Sequence, residues 1–198
     1  MIKILKIMIL GLVVLFTTGC VSTSLEVKKP QSEIVKDTTK SYIMFSRSSM
    51  FIGGGVPNNI VEFNYDTKEL NFVGILMPGE RLIYKVEPGE HYFYLSGGEN
   101  DDYLKVSAKA RHMYYVNTYV SMGILMGRTY FDTYDPLSRE DIESLEGSTL
   151  IEPTDGARDI YNNNLESYIS EINEDYPEWS NDNDKKHIKQ TNGVPLFH

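Results

Sequence analysis

Four histidines are the residues of this 198-residue sequence whose chemistry best suits catalysis or metal binding. His91 and His112 lie in segments with strand character, whereas His187 and His198 lie near the C-terminus. None of them stands in an H-x-x-x-H or H-E-x-x-H spacing, and C-x-x-C is also missing, so no pattern brings two zinc ligands together. We therefore predict no metal site and no cofactor, with His91 and His112 as solvent-facing residues at strand edges.

Two acidic stretches and a glycine run carry weaker signals. Residues 97–102 and 181–184 offer carboxylates that suit Ca²⁺, but neither has the glycine and terminal glutamate of an EF-hand loop. Residues 53–55 lack the Gly-Lys-Ser/Thr ending of a phosphate loop and predict a connection between strands. The G-x-S-x-G nucleophile motif does not occur. We therefore predict no catalytic residue and a protein that is not an enzyme.

Cys20 is the only cysteine, and it follows Gly19 at the end of an apolar segment. That segment, residues 7–16, is preceded by a short basic stretch, residues 1–6. Its length is about half of the roughly 20 apolar residues that a membrane-spanning helix needs. The order of basic, apolar and small residues is typical of a removable export signal over residues 1–19.

Gly19-Cys20 resembles the lipobox of bacterial lipoproteins, although the Leu that the family most often has three residues before the cysteine is Thr17 here. The resemblance implies cleavage between Gly19 and Cys20, and attachment of the mature chain to a membrane through lipid on Cys20. A lone free thiol is a liability in an oxidising compartment, whereas a thioether is chemically silent. The alternative is an uncleaved or differently cleaved signal with an incidental cysteine.

Val21 and the net charge bear on location and partners. The sorting rule of enteric lipoproteins retains Asp after the cysteine at the inner membrane, so Val21 favours the outer membrane, facing the periplasm. The inner membrane and the cell surface are the alternatives. Loss of residues 1–19 lowers Lys+Arg from 19 to 17 against 28 Asp+Glu, a formal charge of −11. We predict no nucleic-acid partner, because such partners need basic patches.

The remaining sequence divides into four segments. Residues 20–40 are polar and lack aromatic residues, which predicts a flexible tether behind the lipid. Residues 41–134 alternate Tyr, Phe, Val and Ile with Gly, Pro, Asn and Asp, which is typical of an all-β domain. Residues 135–178 predict helices, and residues 179–198 predict a polar tail. The predicted strands are 41–47, 59–65, 69–77, 81–87, 91–96, 102–108, 111–121 and 124–131.

Local turn and cap signals refine this prediction. The turns at 77–80 and 87–90 both read x-Pro-Gly-Glu, which is type II chemistry, and predict an antiparallel meander of three strands through 69–96. Ser138 and Asp141 have the spacing of a capping box for a short helix. Apolar residues at three- and four-residue intervals predict a longer helix from about Thr154, which packs on the domain and ends at Pro177.

Three of these segments carry a resemblance to a family of uncharacterised Gram-negative envelope lipoproteins. They are the Arg-ended strand Tyr42-Ile-Met-Phe-Ser-Arg47, the turn Val86-Glu-Pro-Gly-Glu-His91 and the strand Tyr114-Tyr-Val116. The pattern is also similar to transthyretin-like and carboxypeptidase-regulatory-like sandwiches. It implies a mainly β fold, an antiparallel β-sandwich, with one short and one longer C-terminal helix packed on it.

These observations predict a non-catalytic binding or scaffolding module of the envelope. The fourteen tyrosines, most of them in strand-like stretches, offer apolar area and a hydroxyl for recognition of envelope proteins or glycans. The alternative is an envelope hydrolase whose site combines His91, His112 and acidic loop residues. Convergence of those groups in a concave pocket would favour the hydrolase.

Replacing Cys20→Ser removes the predicted acylation site. The variant should lose incorporation of labelled palmitate, and should keep its signal segment or be cut elsewhere. The folded domain should be unaffected, because no disulfide is lost. Palmitate labelling in cells and mass spectrometry of the N-terminus measure this, and an unmodified Cys20 in the wild-type protein would contradict the lipoprotein interpretation.

Overall fold

The computed structural model describes residues 21–49, 55–134, 138–182 and 185–196. Strands make up 47% of these residues and helices 25%, so the fold is mainly β. The predicted signal segment, with Gly19 and Cys20, lies outside the described residues, as do most of the glycine run at 53–55 and His198.

Twelve strands and four α-helices are found within the described ranges. The strands are β1 Ser24–Glu26, β2 Ser41–Arg47, β3 Asn58–Asn64, β4 Glu69–Leu76, β5 Glu80–Val86, β6 Gly89–Gly97, β7 Asn100–Ala108, β8 His112–Met122, β9 Gly127–Thr133, β10 Thr149–Pro153, β11 His187–Ile188 and β12 Val194–Pro195. The helices are α1 Gln31–Ile34, α2 Arg139–Gly147, α3 Asp155–Asn163 and α4 Leu165–Asn181. All eight strands predicted between residues 41 and 131 are confirmed, with ends shifted by up to three residues.

The strands form two sheets. One has the order β1-β10-β5-β2-β8, and β9 and β12 both pair with β8 at its end. The other has the order β11-β7-β6-β3-β4. Both sheets are mixed, because β2 pairs in parallel with β8, β10 with β5, and β11 with β7. The predicted antiparallel arrangement is therefore correct for most of the strand pairings and wrong for these three.

One apolar cluster takes side chains from both sheets. Phe45 of β2 meets Phe93 of β6 edge to face, with ring centroids 5.1 Å apart, and Phe131 of β9 lies 6.2 Å from Phe45. Aliphatic residues from other strands of both sheets complete the cluster. The two sheets therefore pack against each other through this core.

The strand β2 lies in the middle of the seven-stranded sheet and is buried at all seven positions. Its residues alternate between the core and the opposite face, as the period of a strand requires. On that opposite face Tyr42 and Met44 pack with Met113 and with Leu145 of α2. Both faces of β2 are therefore covered.

The helices α3 and α4 cover the outer face of the five-stranded sheet. Tyr161 stacks on Phe72 with centroids 5.1 Å apart, and Tyr168 contacts Tyr94 at 5.8 Å. These residues belong to a second apolar cluster with Ile172. The prediction that an amphipathic helix packs on its own domain is confirmed.

The three-strand meander predicted through 69–96 is wrong. The strand β4 pairs with β3, β5 pairs with β2, and β6 pairs with β3 and β7, so the chain changes sheets at each Pro-Gly turn. Turn chemistry determines where the chain reverses, but the pairing partner depends on distant strands. The first turn is type II, since Glu80 N donates to Met77 O at 3.1 Å and Gly79 has φ +79°. Gly89, with φ +145°, does not fit type II.

The helix predictions are confirmed at α2 and corrected further on. Ser138 Oγ accepts from Asp141 N at 3.1 Å and the Asp141 carboxylate accepts from Ser138 N at 2.8 Å, which is the predicted capping box. The longer helix is interrupted at Asn164, and Pro177 lies inside α4 instead of ending it. Tyr176 and Trp179, on either side of Pro177, pack on the second apolar cluster and hold this end of α4 in place.

The segments predicted as a tether and a tail contain paired backbone. The strand β1 pairs with β10 through Ser24–Glu26, and in the tail β11 pairs with β7 and β12 with β8. Each short strand satisfies donors and acceptors along a sheet edge that would otherwise stay open. Among the described residues, no helix is both long and apolar enough to cross a bilayer.

Gly79→Ala and Gly147→Ala form a matched pair. A Cβ at Gly79 meets only Ser49 Cβ, at an ordinary 3.7 Å, so its cost of roughly 1–2 kcal/mol comes from the positive φ alone. A Cβ at Gly147 meets nothing within 4 Å, and Ala at this helical position should stabilise by about 0.5–1 kcal/mol. Urea denaturation measures the free energy of unfolding of both variants, and equal changes would contradict the type II turn assigned at Gly79.

Candidate functional site

An open groove of about 650 Å³ lies between the five-stranded sheet and the C-terminal part of α4. Strands β3, β4 and β6, the β3–β4 turn and the end of α4 all contribute to it. Its lining is mostly polar, with Glu62, Phe63, Asn64, Tyr65, Asp66, Glu69, Asn71, Glu90, His91, Tyr92, Tyr176, Pro177, Ser180 and Asn181.

Three partly exposed tyrosines form an aromatic wall in this groove. Tyr176 reaches it from α4, and its ring lies 4.7 Å from Tyr65 and 5.9 Å from Tyr92. Phe63 packs edge to face under Tyr176 at 5.1 Å. Burial raises the pKa of Tyr176 to about 12. The hydroxyl therefore stays protonated and can both donate and accept hydrogen bonds to a ligand.

Glu62 and His91 form a hydrogen-bonded pair at one side of the groove. His91 Nδ1 lies 2.5 Å from Glu62 Oε1, and Tyr84 Oη donates to Glu62 Oε2 at 2.7 Å. His91 Nε2 lies 2.7 Å from the Glu87 carbonyl oxygen. The side chains are only 13% and 16% exposed, so the prediction of a solvent-facing His91 is wrong.

Opposing effects act on the pKa values of this pair. Burial alone would lower the pKa of His91, but hydrogen bonds to Glu62 and to the Glu87 carbonyl raise it above its usual value. Burial would raise the pKa of Glu62, but the bonds from His91 and Tyr84 lower it below its usual value. Both partners of His91 are acceptors, so the imidazolium form, with two N–H donors, fits the site best.

This geometry disfavours a role for His91 as a general base. A base needs a nitrogen lone pair within reach of the substrate proton. Both ring nitrogens of His91 are engaged by oxygens of the protein itself. The pair therefore acts as a clip that joins β3, β6 and the turn at Glu87.

The rest of the groove has an excess of negative charge. Glu90 forms an ion pair with Lys105 at 2.6 Å, which lowers the pKa of Glu90. Asp66 and Glu69 lie at the β3–β4 turn. Among the lining residues only His91 brings a positive charge, and Glu62 already neutralises it. Two lysines outside the lining partly offset this charge, since Lys68 Nζ lies 3.5 Å from the Tyr65 ring centroid and Lys105 Nζ lies 5.5 Å from the Tyr92 ring centroid.

The residues predicted for the alternative hydrolase site are not brought together. His91 lies in β6 of one sheet, and His112 lies in β8 of the other, where its Nδ1 bonds to the Ala110 carbonyl at 2.8 Å. His187 bonds to Ser107 Oγ at 2.9 Å. In the acidic stretch 97–102 the Asp102 carboxylate binds Lys186 and accepts from Phe131 N. No group of three or more potential metal ligands occurs in the described part of the chain.

Sequence reasoning missed Glu62, although one signal was available. It stands in the middle of the strand Asn58–Asn64, between Val61 and Phe63, which are buried. Glutamate in such a position is rarely buried without a partner. The partner itself, 29 residues later in β6, was not predictable from spacing.

No protein-family model, curated protein or solved structure matches this chain. The resemblance to envelope lipoproteins and to transthyretin-like sandwiches therefore stays a prediction.

His91→Gln should change how stability depends on pH. The raised pKa of His91 stabilises the folded state fully below its unfolded value of about 6.5, and this contribution is lost as the pH rises through the folded value. The lowered pKa of Glu62 stabilises above about 4.5 and is lost as the pH falls through its folded value. The free energy of unfolding of His91→Gln should be lower than that of the wild type by roughly 1–3 kcal/mol between about pH 4.5 and 6.5. At alkaline pH the two should differ little.

Urea denaturation from pH 4 to 9 measures this dependence. Wild-type stability should decline as the pH rises through the folded pKa of His91. Glu62→Gln should abolish this decline, and adding His91→Gln to Glu62→Gln should cause little further loss of stability. His112→Gln, in the other sheet, is the control and should keep the wild-type profile. An unchanged profile in His91→Gln would show that the clip does not form.

Proposed function

We propose that this chain is an envelope lipoprotein, cut after Gly19 and acylated on Cys20, whose domain is a non-catalytic binding or scaffolding module. The basic and apolar stretches before Gly19-Cys20 and the single cysteine support the proposed export and lipid attachment. Val21 supports the outer membrane, facing the periplasm. We also propose that the two sheets form a β-sandwich, which the shared apolar cluster supports.

In this proposal the lipid holds the domain close to the bilayer. Ser24 follows Cys20 by only four residues and is paired with Pro153 of β10. Four residues span at most about 14 Å, which is less than a free tether of twenty residues would reach. This edge of the seven-stranded sheet therefore lies near the membrane surface.

The groove beside α4 is the proposed binding site. The single observation that carries the proposal is a concave surface in which three tyrosines stand among carboxylates and amides. Both ring nitrogens of His91 are meanwhile engaged by oxygens of the protein itself. Aromatic faces with nearby hydrogen-bonding groups suit an extended polar chain. The excess of carboxylates favours a chain that carries positive charge. We infer a glycan with free amino groups as the ligand class.

Two oligosaccharides test this proposal, one with free amino groups and one in which the same groups are N-acetylated. A tetramer of glucosamine should bind the full-length chain in detergent, and its N-acetylated counterpart should bind more weakly, because it lacks the ammonium groups. Isothermal titration calorimetry measures both affinities.

Tyr176→Ala should weaken binding of the glucosamine tetramer at least tenfold, because it removes the central ring of the aromatic wall. Tyr119→Ala is the matched control, since Tyr119 stacks on Tyr130 in the other sheet, outside the groove. Circular dichroism checks that both variants fold. Binding of neither tetramer by the wild-type chain would refute a glycan site in this groove.

A further inference from the structure

Helix α4 carries five carboxylates and neither lysine nor arginine. Like charges four residues apart, such as Glu171 and Asp175 or Glu174 and Glu178, destabilise a helix. Glu178 also lies near the negative end of the helix dipole. The charges of α4 therefore oppose the helix, and its packing on the five-stranded sheet must hold it in place.

A further carboxylate lies beneath α4 on the sheet. Asp101 of β7 comes two residues before Tyr103, so both side chains point to the same face. Tyr103 contacts Trp179 of α4 with ring centroids 5.7 Å apart, and its strand partner Tyr94 contacts Tyr168 at 5.8 Å. Asp101 is therefore a partly buried acid on the face that α4 covers.

The hydroxyl of Tyr94 joins Asp101 to α4. Tyr94 is fully buried and its Oη donates to Glu171 Oε2, while Ser167 Oγ donates to Glu171 Oε1 at 2.7 Å. Two donors suit an ionised Glu171. Asp101 lies within hydrogen-bonding reach of the same hydroxyl, whose single proton is already given to Glu171. Only a protonated Asp101 can therefore donate to the Tyr94 oxygen and complete a chain of hydrogen bonds from β7 to α4.

The surroundings favour that proton on Asp101. Burial raises the pKa of Asp101 above its ordinary value of 3.8, and the charges of Glu171 and Asp175 raise it further, against two opposing hydrogen bonds. We refer to these three residues as the acid cluster. Tyr103 and Tyr168 face the same carboxylates and stay protonated, because burial raises their pKa values as well.

Cations reach α4 without neutralising the acid cluster. Lys68 and Lys185 contact the helix, but they donate to a side-chain amide oxygen at 2.7 Å and to a backbone carbonyl at 2.5 Å. Among the described residues, no ion pair includes a member of the acid cluster. An ionised Asp101 therefore repels α4.

The C-terminal part of α4 forms one side of the groove proposed as the binding site. Tyr176, the central ring of the aromatic wall, follows Asp175 directly. Pro177 has no N–H, so α4 lacks one backbone hydrogen bond at this point. The missing bond lets the end of α4 move without unwinding the whole helix.

We propose that Asp101 and α4 form a pH-sensitive latch that regulates this groove. With Asp101 protonated, its chain through Tyr94 to Glu171 holds α4 on the sheet, and the aromatic wall is assembled. With Asp101 ionised, repulsion within the acid cluster releases the end of α4 for part of the time, and Tyr176 leaves the wall. This regulation rests on the binding function proposed for the groove.

The direction of the pH dependence follows from the raised pKa of Asp101. A carboxyl group that binds its proton more tightly in the closed state stabilises that state fully below its ordinary value of 3.8. The contribution is lost as the pH rises through the raised value. Acid therefore closes the latch, and neutral pH loosens it.

Trp179 is the only tryptophan and reports on the latch, because its ring packs on Tyr103 of the sheet and on Tyr176. Acrylamide is an uncharged quencher, and quenching of Trp179 fluorescence in the full-length chain in detergent measures the release of α4. Between pH 4.5 and 8 the wild-type quenching constant should rise about twofold through one midpoint. No glycan is present, so the result is independent of whether the groove binds one.

Three variants make the test specific. Asp101→Asn cannot ionise, and its amide can still donate to Tyr94 Oη, so quenching should stay at the low acid value at every pH. Glu171→Gln should move the midpoint to lower pH, because it removes a charge that repels ionised Asp101. Asp159→Asn alters an exposed acid of α3 and is the control, which should keep the wild-type profile. Far-UV circular dichroism confirms that each variant folds across the pH range.

Several results would overturn the latch. One is a wild-type quenching constant that does not change with pH, and another is an unchanged profile in Asp101→Asn. A midpoint for Glu171→Gln at or above that of the wild type would also contradict it. Loss of the pH profile in His91→Gln would show that the His91–Glu62 clip controls α4 instead.

Discussion

The burial of β2 on both faces is the constraint on which the rest of the structure depends. A strand with all seven residues buried needs an apolar layer on each side and a paired neighbour at each edge. The five-stranded sheet supplies one layer through Phe93 and its neighbours, and α2 supplies part of the other through Leu145. The strands β5 and β8 supply the edges. The changes of sheet at the Pro-Gly turns follow, because β5 must pair with β2 while β4 and β6 pair with β3.

Burial of the whole of β2 also buries a cation, Arg47, at the end of the strand. Arg47 is 3% exposed, and its guanidinium donates to the carbonyls of Val56 and Leu76. Burial lowers the pKa of Arg47, and the nearby Glu80 opposes that effect. A buried cation is tolerated only when its donors are satisfied. Arg47 thereby ties the end of the seven-stranded sheet to the ends of β3 and β4.

The carboxylates follow the same rule, and this shapes the functional surface. Glu62 is satisfied by His91 and Tyr84, Glu99 by three amides, and Asp102 by Lys186 and Phe131 N. Each of these acids is used to hold the protein's own backbone or side chains, which leaves it poorly placed for proton transfer. What remains accessible is a groove of tyrosines, amides and surface acids.

The sequence by itself determined the elements whose signals lie within a few adjacent residues. Strand positions between residues 41 and 131 followed from alternation and turn residues, and the cap of α2 followed from Ser138 and Asp141, because these interactions are local. Tertiary structure decided which strands pair, since the parallel β2–β8 contact joins residues about seventy positions apart and no turn signal encodes it. It also decided that Pro177 lies inside α4 and that residues 21–40 and 185–196 contribute strands. The Glu62–His91 clip and the groove beside α4 arise only when distant elements pack, because they depend on burial and on partners that local sequence does not bring together.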